Sequence, residues 1–215
     1  MIRISECHRR IYDHFHGTPS CQSHFFKKVQ EDEYAAYYTA MYLLQDSTEA
    51  LLAHRIQDFS STPLAAYIEL WGVMQAINIQ QDSIRKLYVI LTGNPFPAFQ
   101  GKWKEIRDLR VLCAGHPADK GEIRKQPAER TFAGRSFGGY DVLNLETWSE
   151  NAKKIAHPQI ALGKLIDDYA EEAAGFLEAA EQEMKKRWPY NTQPDSGGDG
   201  IPRLRADVRY KEGAK

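Results

Sequence analysis

The chain has 215 residues, enough for one domain or two small ones, and its 28 Lys and Arg against 29 Asp and Glu leave a formal charge of −1. That balance excludes a uniformly basic nucleic-acid coat and an acidic solvating chain. Apolar runs such as Leu87 to Leu91 fall far below the roughly 20 residues of a membrane span, and the first ten residues lack the apolar core of a secretory signal, so a cytoplasmic protein that does not use a membrane is expected.

The first helix is expected from about Ser23 to Phe59, because Phe25, Phe26, Val29, Tyr37, Tyr38, Met41, Leu44, Leu51, Leu52 and Ile56 recur at gaps of three, four and seven. Ser60 to Pro63 reads as a break and a new start, with Thr62 at the N-cap and Pro63 at the first helical position. A second helix runs to Thr92 on one broad apolar stripe, and Gly93-Asn94-Pro95 stops it. A third, shorter helix spans about Phe99 or Trp103 to Ala114 and exits at Gly115-His116-Pro117.

Helical periodicity then disappears from Pro117 to Leu145, where Thr131 to Leu143 suggests two short extended pieces about a glycine turn. Thr147-Trp148-Ser149-Glu150 matches a capping box and predicts a fourth long helix to Trp188, kinked or restarted at His157-Pro158. Pro189 to Gly200 is a linker by composition. Beyond it Leu204, Ala206, Val208 and Tyr210 alternate with Arg203, Arg205, Asp207 and Arg209, which fits either a strand docking beside 131–143 or a basic disordered tail. The expected fold class is therefore all-α: a single helical domain over 1–188 with a short β-like insertion at 117–145, followed by a linker and extended basic C-terminal tail at 189–215.

Charge is uneven along this frame. Residues 1–99, 100–135, 136–200 and 201–215 carry −2, +4, −6 and +3, so the middle segment and the tail are the basic parts. Within the middle segment Arg107 and Arg110, three apart, share a helix face. Six residues of ideal helix turn about 240°, so His116 aligns with Arg110 only if the helix ends first, and Gly115 supplies that ending. A histidine at a helix C-terminus also meets the negative end of the dipole, which favours its protonated form.

Arg110, five intervening residues and His116, on a late helix of a small helical chain, resemble the Arg-x(4–6)-His motif of the HEPN superfamily, and "IRDLR…GHP" is similar to a bacterial branch of it. The resemblance implies a four-helix up-and-down bundle and a homodimer in which two motifs meet. It also implies metal-independent endoribonuclease chemistry without a cofactor, in a bacterial defence or toxin–antitoxin setting where an antitoxin or other protein is a partner. His116 would handle the proton of the ribose 2′-OH or the leaving 5′-oxygen. Arg110 would hold the scissile phosphate through forked donors. One departure is Val111, where many active members carry Asn, Asp or His. It leaves open a catalytically silent helical module that binds a partner protein, a nucleotide or RNA. Arg107, Lys120, Arg124, Lys125, Arg130 and Arg135 are the expected RNA-binding cations, with Trp103, Phe132, Phe137 and Tyr140 interleaved as stacking candidates. A competing reading pairs Arg110 with Asp108 or Glu105 and leaves His116 as a helix cap.

Three other clusters have no assigned chemistry. Cys7, His8, His14, His16, Cys21 and His24 crowd the N-terminus, but no standard zinc spacing appears, and the segment reads mainly as a capping strand or short helix. Tyr34, Tyr37, Tyr38 and Tyr42 sit at helical spacing and read as core or interface. Asp167-Asp168 and Glu171-Glu172 read as the solvated face of an acidic helix, and no metal site is expected.

Overall fold

A computed structural model describes residues 1–27, 30–115, 129–149 and 153–190. The chain is mostly helical with a small antiparallel sheet. Helices α1 (Ile2–Gly17), α2 (Pro19–Phe25), α3 (Glu31–Gln57), α4 (Pro63–Thr92) and α5 (Gly101–Arg110) come first, and a π-helical turn, Val111–Gly115, extends α5. Strands β1 (Glu129–Gly138), β2 (Leu143–Ser149), β3 (Lys154–Ala156) and β4 (Gln159–Ile160) follow, and α6 (Leu162–Arg187) is the last described element. The 204–210 tail lies outside the described residues.

The four long helices pack in a ring of pairs, α3 on α4, α4 on α6, α6 on α1 and α1 on α3. Leu165, Ile166, Tyr169, Ala173, Leu177 and Ala180 form the buried stripe of α6 at helical spacing. Burial of each large aliphatic side chain contributes roughly 1.5–3 kcal/mol. One set of polar side chains inside this core is paired across helices. Gln80 Nε2 donates to Thr48 Oγ1 at 2.8 Å and Tyr169 Oη donates to Gln80 Oε1 at 2.9 Å, which joins α3, α4 and α6.

Helix α4 has the bounds its sequence predicts. Pro63 occupies its first turn and Gly93, at φ 73°, closes it by donating its N–H to the Val89 carbonyl. Its expected stripe is narrower than the sequence reading, however, because Leu64, Ile68 and Trp71 are exposed.

Three expectations are corrected. Of the two readings of the N-terminal segment the helix forms and the capping strand does not, and that helix is longer than expected: α1 has 16 residues, and Ile4, Cys7, Ile11, His14 and Phe15 form its buried face. Buried Cys7 and His14 occupy positions of that face, so the apolar periodicity is masked in the sequence. The fourth helix does not start at the capping box, since Thr147 to Ser149 close β2 and α6 begins at Leu162. Strand pairing overrides the local signal. Thr147 lies opposite Thr131, with their hydroxyl oxygens 2.9 Å apart, and Trp148 lies opposite Arg130. Pro158 neither kinks nor restarts a helix; it lies between β3 and β4, where its carbonyl accepts from the Leu145 N–H.

The β element is accordingly larger than a short insertion. β2 pairs β1 on one side and both β3 and β4 on the other, all antiparallel. Its buried face, with Ala133, Phe137, Leu143 and Leu145, joins the helical core. At the β1–β2 turn Gly138 has φ 95°, and a Cβ there would meet the Val142 carbonyl oxygen at 2.1 Å, so only glycine fits.

Candidate functional site

The basic segment is carried by α5, and the packing around its first turn fixes where its last turn points. Trp103 is buried against Phe96, Tyr169 and Phe176. Its backbone N–H donates to Glu172 Oε2 at 3.0 Å, a carboxylate at a helix N-terminus where the dipole favours it. Its carbonyl accepts from Gln81 Nε2 at 3.0 Å. Helix α5 is thereby tied to α6 and to α4 at once.

Arg107 and Arg110 leave the last turn of this anchored helix and both reach α4. Arg107 Nη1 lies 3.6 Å from Asp82 Oδ1, and its guanidinium lies over the Phe99 ring at 5.1 Å. Arg110 Nη2 donates to Gln75 Oε1 at 3.2 Å. The nearby acids that could neutralise Arg110 are taken, Glu105 by Lys102 at 2.6 Å and Asp108 by Lys104. Arg110 is half-buried, its Nε has no hydrogen-bond partner, and no carboxylate among the described residues forms an ion pair with it. The alternative of an Arg110 pair with Asp108 or Glu105 is thus not what forms. A half-buried guanidinium held by a neutral amide retains donors and charge for an anion.

The π-helical turn occupies the five residues between Arg110 and His116. Such turns are uncommon and concentrate at functional sites, and they change the angular offset that an α-helix would impose across the motif. The turn packs against α4 and β1. It therefore joins the helix that carries Arg107 and Arg110 to the strand that carries Arg130 and Arg135. Arg130 is half-buried opposite Trp148, while Arg135 is exposed at the irregularity between Ala133 and Gly138. His116, Lys120, Arg124 and Lys125 lie outside the described residues. Of the stacking candidates, Trp103, Phe137 and Tyr140 are buried and Phe132 is exposed.

Gln75, Asp82 and Phe99 are the partners that sequence reasoning missed. No local pattern signals the first, because Gln75 is exposed and water can satisfy its amide as well as a side chain can.

The other clusters resolve into structure. His8 Nε2 lies 3.0 Å from the Met41 carbonyl and His14 Nε2 lies 2.8 Å from the Trp188 carbonyl, while Cys7 and Cys21 are buried in the core. No three metal-ligating side chains converge among the described residues. The acids of α6 have specific partners: Asp167 faces Arg55, Asp168 takes Lys164, Glu171 pairs with Arg3, and Glu172 holds Trp103.

No described helix is long and apolar enough to cross a membrane. Comparison of the chain with protein-family models, with curated proteins and with solved structures gave no match.

Proposed function

We propose that the protein is a metal-independent endoribonuclease of HEPN type, built on a four-helix bundle and acting as a homodimer in a defence or toxin–antitoxin setting. The observation that carries this reading is Arg110: a half-buried guanidinium with no carboxylate partner among the described residues, fixed by Gln75 at the start of the turn that leads to His116.

In this reading Arg110, with Arg107 beside it, receives the non-bridging oxygens of a phosphodiester and stabilises the charge that grows on them. His116 removes the proton from the ribose 2′-OH or returns one to the departing 5′-oxygen. The 2′-oxygen bonds to phosphorus as the P–O5′ bond breaks, which leaves a 2′,3′-cyclic phosphate on one product and a 5′-hydroxyl on the other. RNA already contains its nucleophile, so Arg110 and His116 suffice for the proposed step. The exposed Leu64, Ile68 and Trp71 of α4 lie on the helix that carries Gln75, one turn beyond Trp71, and such an apolar strip supports a dimer in which two motifs approach each other.

Val111 favours a second reading, a module that binds RNA without cutting it, because it opens the π-turn without a side-chain donor or acceptor. Product-end mapping separates the two. An oligoribonucleotide incubated with the protein is expected to yield 2′,3′-cyclic phosphate ends, and a 2′-deoxy substitution at the cut position is expected to block that cut. Stable binding with intact RNA would favour the silent module.

A further inference from the structure

Helix α3 carries an aromatic face that the proposed RNA site does not use. Tyr34, Tyr38 and Tyr42 repeat every four residues, with ring centroids 6.4 Å and 6.2 Å apart, and Phe26 extends the row at 4.7 Å from Tyr34. Tyr37 turns inward and is buried, whereas Tyr38 and Tyr42 are 58% and 57% exposed. Core packing explains Tyr37 but not two tyrosines with more than half their surface in water.

Helix α3 itself contributes only acids to this face. Between Glu31 and His54 the helix has no Lys or Arg, and its acids are Glu31, Asp32, Glu33, Asp46 and Glu49. The helix dipole accounts for the first three, which lie in the first turn. It does not account for Asp46, which is exposed one turn beyond Tyr42 on the same stripe. Glu31 and Asp46 therefore bracket the exposed rings, about 22 Å apart at 1.5 Å per residue. Extended polypeptide covers that distance in about seven residues.

The geometry points to this face as a docking site for an arginine-rich segment of a partner protein. Guanidinium groups stack on tyrosine faces and pair with carboxylates, and a row of rings ended by acids offers both contacts along one line. A nucleic acid would meet repulsion here, and a purely apolar partner would leave Glu31 and Asp46 without partners. The site lies on a different helix from Arg107 and Arg110 and stands or falls independently of the RNA reading.

Fluorescence anisotropy with a labelled nona-arginine peptide tests it, beside nona-lysine and nona-glutamate. Nona-arginine is expected to bind, nona-lysine more weakly and nona-glutamate not at all. The exposed double substitution Tyr38→Ala/Tyr42→Ala is expected to weaken nona-arginine binding about tenfold, as loss of two cation–π contacts requires. The surface change Asp46→Lys is expected to weaken it further, and both variants are expected to melt as wild type does. Equal affinity for arginine and lysine peptides, or affinity unchanged by the tyrosine substitutions, would overturn the proposal. So would conversion of a dimer to a monomer by Tyr38→Ala/Tyr42→Ala, since the face would then belong to a second copy of this chain.

Discussion

Arg110 donates through Nη2 to Gln75 Oε1 at 3.2 Å, so the cation at the head of the Arg-to-His segment is oriented by a neutral amide from another helix. A carboxylate at position 75 would hold the same geometry and cancel the charge. Gln75→Glu is therefore expected to leave thermal stability unchanged while weakening RNA binding about tenfold or more, because one phosphate contact and its counterion release are lost. Filter binding at two salt concentrations checks this, and the salt slope of the variant should be shallower.

The Thr48–Gln80–Tyr169 chain crosses three helices at the centre of the core, and Tyr169 is fully buried. Tyr169→Phe removes one donor and leaves Gln80 Oε1 without it. Loss of about 1–3 kcal/mol is expected, read by urea denaturation as a lower midpoint with an unchanged slope.

How much of this was legible in the sequence depended on whether the signal was local. Helix α4 could be read to its ends because Pro63 and Gly93 act through their own backbone restrictions. Arg107 and Arg110 were found because their spacing on one helix is itself geometry. The start of α6 was not readable, because Thr147 and Trp148 serve a capping box and a strand equally well, and only β1 decides between them. The length of helix α1 was not readable, because buried His14 interrupts the apolar periodicity of its inner face. Gln75 is exposed and its pairing with Arg110 spans 35 positions, so no local pattern encodes it.

Glu181 predicts an acid-sensitive contact between α1 and α6. Burial pushes its carboxyl up, but hydrogen bonds from Lys185 at 2.6 Å and Arg10 at 2.8 Å outweigh it and hold the group below its ordinary value of 4.5. A carboxyl depressed in the folded state contributes stability that is complete above the unfolded value and is lost as pH falls through the folded one. Wild type is expected to melt higher than Glu181→Gln at neutral pH, with the difference shrinking below about pH 4.5. Melting temperatures taken from pH 7 to pH 3 check the convergence.

The three thiols are structural. Cys7, Cys21 and Cys113 are free and buried, and burial pushes Cys21 and Cys113 up to about 12 and Cys7 above its ordinary value. Thiolate is the reactive form. Native protein is expected to show no rapid reaction with a thiol reagent such as DTNB at neutral pH, and three equivalents after denaturation in guanidinium. Fast labelling of any one in the native state would contradict the packing.

The central claim is tested most directly by incubating purified wild type, Arg110→Ala and His116→Ala with a mixed single-stranded RNA and the matching DNA in EDTA. The account predicts that wild type alone cuts, that it cuts only the RNA, and that both variants melt as wild type does. Intact RNA with wild type, or equal cutting by all three proteins, would contradict it.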